Sequence, residues 1–113
     1  MVVEGVGGWE VPLNERERVS HLAVLLGLPV ILVVGLRLGC LNHAILSERS
    51  ILASGVDYRG WCVNNLSEDF PHAEGNVRTL RASLSGDFPG TVPYHSRGVD
   101  FFAEPGSSAE LSV

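Results

Sequence analysis

Pro29-Val30-Ile31-Leu32-Val33-Val34 carries no polar side chain and is rich in β-branched residues. A half-exposed strand alternates apolar with polar, so a run that is apolar throughout predicts a strand covered on both faces, as in a parallel sheet. Working outward, Val19, Leu22, Ala23, Leu25 and Leu26 fall at helical spacing before Gly27, which predicts a helix over 18–26. On the other side, Leu41, Ala44, Ile45, Glu48, Ile51 and Leu52 repeat that spacing and Gly55 closes it, a second amphipathic helix. Val2-Val3 ending at Glu4 reads as a strand tail entering the loop Gly5-Val6-Gly7-Gly8, and Tyr58–Val63 as a strand stopped at Asn64-Asn65. A third helix over 72–84 and a last short strand over 88–92, ended by Pro93, complete the series. Strands alternating with helices predict an α/β fold, a parallel sheet with crossover helices on both faces.

With 113 residues, 45% hydrophobic and 19% charged, the chain is expected to form at most one compact domain. The sheet segments fall within 1–94, and the tail 95–113, with Gly98, Pro105, Gly106, Ser107 and Ser108, has no period. Eight arginines, no lysine and a net charge of −5 argue against nucleic acid as a partner. The absence of lysine also means that this sequence carries no phosphate loop of the type that ends in Lys-Ser/Thr. The stretch Leu22–Leu36 is shorter than the roughly 20 apolar residues of a membrane span and is broken by Gly27 and Pro29, so no membrane is expected. Cys40 and Cys62 sit in apolar runs as small hydrophobes of a reducing compartment, and the cytoplasm is the expected location.

Ligands of open parallel sheets bind beyond the carboxyl ends of the strands. Four polar or glycine clusters fall at such ends: Glu4 with its glycines, Gly35–Asn42, Asn64-Asn65, and Pro93 onward. Glu4 is either a solvated loop carboxylate or an oxygen ligand for a hard cation such as Mg²⁺. The amides near Gly39–Asn42 suit a carboxylate or phosphate, unless Asn42 simply caps the helix. Arg37 pairs an anion or faces water. Asn64 is either a turn residue or an amide able to read a nucleobase edge. The histidines His21, His43, His72 and His95 show no zinc spacing.

The segments Val3-Glu4-Gly5-Val6-Gly7-Gly8, Val11-Pro12-Leu13, Leu28–Ala44 with its Gly35-Leu36-Arg37-Leu38-Gly39-Cys40 core, and Gly60-Trp61-Cys62-Val63-Asn64 resemble the carboxyl-terminal half of the dethiobiotin synthetases. The resemblance covers about residues 2–94. It implies a P-loop NTPase-like partial domain and ATP-dependent carboxylation and ring closure of 7,8-diaminononanoate, with CO₂ as co-substrate, ATP and Mg²⁺ as cofactors and a homodimer as the assembly.

By the same resemblance, Glu4 is the Mg²⁺ carboxylate, Gly5, Gly7 and Gly8 line substrate and phosphate, and Gly39, Cys40, Leu41 and Asn42 receive the diamine's distant carboxylate across a dimer interface. Asn64 reads adenine and Pro93 lies near the base. The family's phosphate loop, second Mg²⁺ carboxylate and carbamate lysine have no counterpart in the matched segment. The expectation is therefore a fragment inactive alone. Two rivals stand beside it: another ATPase or synthase of the same superfold, and a noncatalytic remnant or interaction module.

Overall fold

The computed structural model describes residues 1–5, 7–94 and 110–112. Among the described residues eight elements follow in order: β1 (Val2–Glu4), α1 (Val19–Leu26), β2 (Val30–Leu36), α2 (Cys40–Ser54), β3 (Tyr58–Asn65), α3 (Ala73–Ser83), β4 (Thr91–Val92) and β5 (Glu110–Ser112). The sheet has the order β1-β5-β2-β3-β4, and every pairing in it is parallel. All carboxyl ends therefore open on one rim.

Burial along β2 alternates, with Val30, Leu32, Val34 and Leu36 fully covered and Ile31, Val33 and Gly35 half-buried. The covered set joins Trp61 and Val63 of β3, Ala23 of α1, Ala44 and Ile51 of α2, and Leu80 of α3 in one core. Among the described residues the expected covering of both faces is thus met on one face only: α1, α2 and α3 all lie on the same side. The reason is chirality. Crossovers between parallel strands are right-handed as a rule, and β1→β2, β2→β3 and β3→β4 all step in the same direction across the sheet, which lays the three helices on the same face.

Element boundaries follow local chemistry. Gly27 and Gly55 end α1 and α2 in the left-handed region, where glycine has no Cβ penalty. β2 runs on through Gly35 and Leu36, so the loop before α2 is only Arg37–Gly39. β3 likewise extends through Asn64 and Asn65, because they pair with Gly35 and Leu36. The expected strand over 88–92 shrinks to Thr91–Val92. Ahead of it the backbone is held by separate contacts, with the Trp61 amide donating to the Asp87 carbonyl at 3.0 Å and the Val63 amide to the Gly90 carbonyl at 3.3 Å.

Two devices pin that segment. Phe88 stacks on buried Trp61, ring centroids 4.3 Å apart, and the Arg81 guanidinium lies 4.9 Å from the Phe88 ring centroid. Buried Glu48 of α2 accepts hydrogen bonds from the Tyr58 hydroxyl at 2.8 Å and, through both oxygens, from the Ser85 amide at 3.0 Å. A buried carboxylate is tolerated only when so satisfied. Cys40 and Cys62 are both buried and free. No described helix is long and apolar enough to cross a membrane. The expectations for Val6, His95, Gly98, Pro105, Gly106, Ser107 and Ser108 lie outside the described residues.

Candidate functional site

Glu4 is the last residue of β1 and its side chain is exposed. The backbone then enters a turn in which Gly7 (φ 99°) and Gly8 (φ 121°) hold conformations that L side chains rarely adopt. Gly5, Gly7 and Gly8 line a cavity of about 200 Å³ whose other walls are β2 and the first turns of α2. Cys40 and His43 face it from α2, Arg37 from the connecting loop, and Trp9 from just beyond the glycines.

Immediately after the glycines, Glu10 fixes the chain. Its carboxylate accepts from Arg18 at 3.0 Å, from Ser20 at 3.3 Å and from Ser50 at 2.5 Å, tying the loop to α1 and α2. These bonds, led by the one from Ser50, hold the Glu10 carboxyl below its usual range.

At the start of α2, Gly39 is the N-cap in the left-handed region, with no side chain capping the helix. Capping by Asn42 is thereby overturned: the cap position belongs to Gly39. The Cys40 amide is taken by the Arg37 carbonyl and the His43 amide by the Gly39 carbonyl, whereas no described group accepts from the Leu41 or Asn42 amide. Of the four residues expected there, Cys40 faces the cavity and is buried. Leu41 packs on the core, and Gly39 and Asn42 are exposed outside the cavity. Of this helix start, only Cys40 thus shares the cavity with the glycine loop.

Asn64 is half-buried, in register beside Gly35, on the sheet face away from the helices. It lines neither the cavity nor the second groove. That groove, of about 400 Å³, is bounded instead by Asn65, Thr91 and α3 with its exposed Arg78 and Arg81. Pro93 follows β4 at the rim and is exposed. Glu4, the glycines, Asn64 and Pro93 therefore share one edge of the sheet but not one cavity.

Trp9, His43, Asn65, Arg78 and Arg81 reach these openings without having been singled out from sequence as binding residues. For His43, the signal was present in the helical spacing. It lies one turn beyond Cys40, and an imagined Cβ on Gly8 would come within 3.9 Å of its Nε2. Trp9 gave none, because a tryptophan beside a glycine run reads equally as core.

A single exposed carboxylate beside open main-chain amides fits Mg²⁺ only as that ion is usually held with nucleotides, by one or two carboxylates plus phosphate oxygens and water. Among the described residues no group of three or more His, Cys, Asp or Glu side chains is placed to hold a metal by itself.

Residues 1–98 match the family model described as an AAA domain. The chain is 51% identical over 92 residues to the ATP-dependent dethiobiotin synthetase BioD of Pseudomonas paraeruginosa, covering 81% of this chain and 40% of that protein. The enzyme of the same name from Janthinobacterium sp. is 52% identical over 93 residues, 82% of this chain and 39% of the relative. That of Ralstonia nicotianae is 50% identical over 93 residues, 82% and 41%. The chain spans about two fifths of the length of the curated relatives it matches.

Proposed function

The chain belongs to the AAA domain family, and on that premise we propose that it supplies the base-reading and metal-holding rim of an ATP-dependent dethiobiotin synthetase. The reaction is the carboxylation of 7,8-diaminononanoate by CO₂, phosphorylation of the carbamate by ATP, and closure of the ureido ring by the second amine. The observation that carries this reading is the all-parallel sheet, in which β1, β2 and β3 point the same way and the glycines that follow Glu4 share a cavity wall with Gly35, the register partner of Asn64. The printed activity of the relatives supports it.

In this reading Glu4 holds Mg²⁺, which when bound neutralises charge on the transferring phosphoryl group. The turn at Gly5, Gly7 and Gly8 lets main-chain amides approach phosphate oxygens without side-chain obstruction. Asn64 offers a donor and an acceptor to the adenine edge, and Pro93 packs near the base. The unengaged Leu41 and Asn42 amides, with Gly39 and Cys40 beside them, receive the diamine's carboxylate. Leu41 and Asn42 are not among the residues that line the cavity, and a second copy of the chain, in a homodimer, is assigned to bring the diamine's far end to them. Two buried free cysteines suit a reducing cytoplasm.

Alone, the 113 residues are assigned little or no turnover. The test is titration of ¹⁵N-labelled chain with ATP and Mg²⁺, then with diaminononanoate. ATP is expected to perturb Glu4, Gly5, Gly7, Gly8 and Asn64, and the diamine Gly39–Asn42. Perturbations confined to other regions, or none at millimolar ligand, would overturn the reading.

A further inference from the structure

α3 carries opposite charges at its two ends. Glu74 stands in its first turn and Arg81 in its last, with Arg78 between them. Because β3 and β4 are parallel, the helix that joins them runs back against the strands, so Glu74 lies at the carboxyl rim of the sheet and Arg81 lies below it. All three side chains line the second groove, of about 400 Å³. Its sheet side follows the same axis: Leu36 and Asn65 are register partners at the strand ends, and Thr91 lies lower, beside Val63. From Glu74 to Arg81 the helix rises about 10 Å.

Three features say what fits there. The volume falls within the roughly 300–1,000 Å³ of small-molecule sites, at the strand ends where parallel sheets hold their ligands. The charges are uncommitted. Ion pairs among the described residues join Arg18 to Glu10 and Arg59 to Asp57, and Glu74, Arg78 and Arg81 take part in neither. Glu74 and Arg78 even stand at the i, i+4 spacing at which such a pair ordinarily closes on itself. Between the charged ends the lining is apolar, with Leu36 buried and Ala73 and Val77 packed against the core. At the lower end the Arg81 guanidinium is held 4.9 Å from the Phe88 ring centroid, which fixes it before a ligand arrives.

We propose that this groove binds a straight-chain ω-amino carboxylate lengthwise, with its carboxylate at Arg78 and Arg81, its methylenes along Leu36, Ala73 and Val77, and its ammonium at Glu74. A guanidinium matches a carboxylate in charge and planar geometry. The Thr91 hydroxyl supplies one more donor at the lower end, and the Asn65 side-chain carbonyl an acceptor for the ammonium at the rim. A simple fatty anion would leave Glu74 facing its tail, and a simple amine would meet two guanidiniums. A chain charged oppositely at its two ends satisfies both. The diamine of the proposed reaction belongs to this chemical class, and the groove is a second place for it, because none of Gly39, Cys40, Leu41 and Asn42 lines it. The assignment rests on α3 and the strand ends and requires neither ATP nor the glycine turn.

The probes are 8-aminooctanoate and octanoate, each titrated into the ¹⁵N-labelled 113-residue chain. Expected are saturable shifts at Asn65, Glu74–Arg81 and Thr91 with 8-aminooctanoate, at a Kd of about 1 mM because exposed ion pairs each add little. Octanoate should bind about threefold or more weakly. Glu74→Gln is expected to remove that difference, and Arg78→Gln to weaken both probes about threefold or more. Both substitutions fall on exposed positions of α3, and the comparison of the two probes on the unaltered chain needs neither. Four results overturn the proposal: no saturable shift up to about 10 mM probe; octanoate bound as tightly as 8-aminooctanoate; shifts confined to residues outside α3, Asn65 and Thr91; or a Glu74→Gln chain that keeps the full preference. With diaminononanoate itself, shifts in the groove but none at Gly39–Asn42 would uphold this site and remove the one assigned to the helix start, and shifts at Gly39–Asn42 alone would do the reverse.

Discussion

Glu4 and Asn64 leave the sheet through the same edge, yet they stand four residues apart along the strand direction. Glu4 lies beside Ser112 and Ser112 beside Ile31, whereas Asn64 lies beside Gly35. With two strands between theirs, the offset is about 13 Å along the sheet and about 14 Å across it. No ion or small acid touches both. A nucleotide stretched along the rim can, with its phosphate end at β1 and its base at β3.

That separation makes the two contributions independent. Glu4→Gln is expected to weaken binding of the ATP–Mg²⁺ complex by about tenfold or more while leaving metal-free ATP nearly unaffected. Asn64→Ala should weaken ATP but change pyrophosphate binding little. Calorimetric titration of both variants with each ligand checks this, and the double variant should show the sum of the two losses in free energy.

Gly60 is held against the chain that leads to β4. A Cβ there would fall 2.2 Å from the Asp87 carbonyl oxygen, and φ is +132°. The neighbour is backbone and cannot rotate aside. Gly60→Ala is expected to cost about 3 kcal/mol or more, read as a lowered urea midpoint. The disturbance should reach Phe88 and Thr91 in amide spectra before it reaches β1.

Glu48 anchors the same segment from the helix side. Glu48→Ala leaves the Tyr58 hydroxyl and the Ser85 amide without their acceptor and is expected to destabilise by about 2–4 kcal/mol. Glu48→Gln retains one acceptor oxygen and should cost less than half of that. Chemical denaturation of the two variants side by side gives the comparison.

Alkaline pH should loosen the core. Burial pushes the Cys62 thiol up to about 11, and burial, followed by the hydrogen bond to Glu48, raises the Tyr58 phenol above its usual range. Both groups keep their protons longer folded than unfolded. Their contribution is therefore intact below the ordinary thiol value of 9.0 and is lost as pH climbs through the folded values. The urea midpoint should fall steadily from pH 9 to 11, and Cys62→Ala should flatten the earlier part of that fall. At the acid end the sign reverses. Glu10, held low by Ser50 and Arg18, contributes stability above its ordinary value of 4.5 that is lost as pH drops through its folded value.

The unbroken apolar run of β2, the three helical repeats and the glycines that stop them determined, from sequence alone, an α/β fold with parallel strands. These are local matters of side-chain period and backbone freedom, and the chain cannot hide them. Long motifs around Glu4, Gly35–Ala44 and Asn64 likewise made the family legible. Only the tertiary structure decided that α1, α2 and α3 share one face, because that depends on the direction in which strands succeed one another across the sheet. Nor could any local pattern reveal that Glu48 meets Ser85, that the Trp9 indole N–H finds no acceptor among the described residues, or that Glu110–Ser112 slips between β1 and β2. Each is a contact between segments far apart in the chain, and its energy exists only once the sheet has brought them to one place.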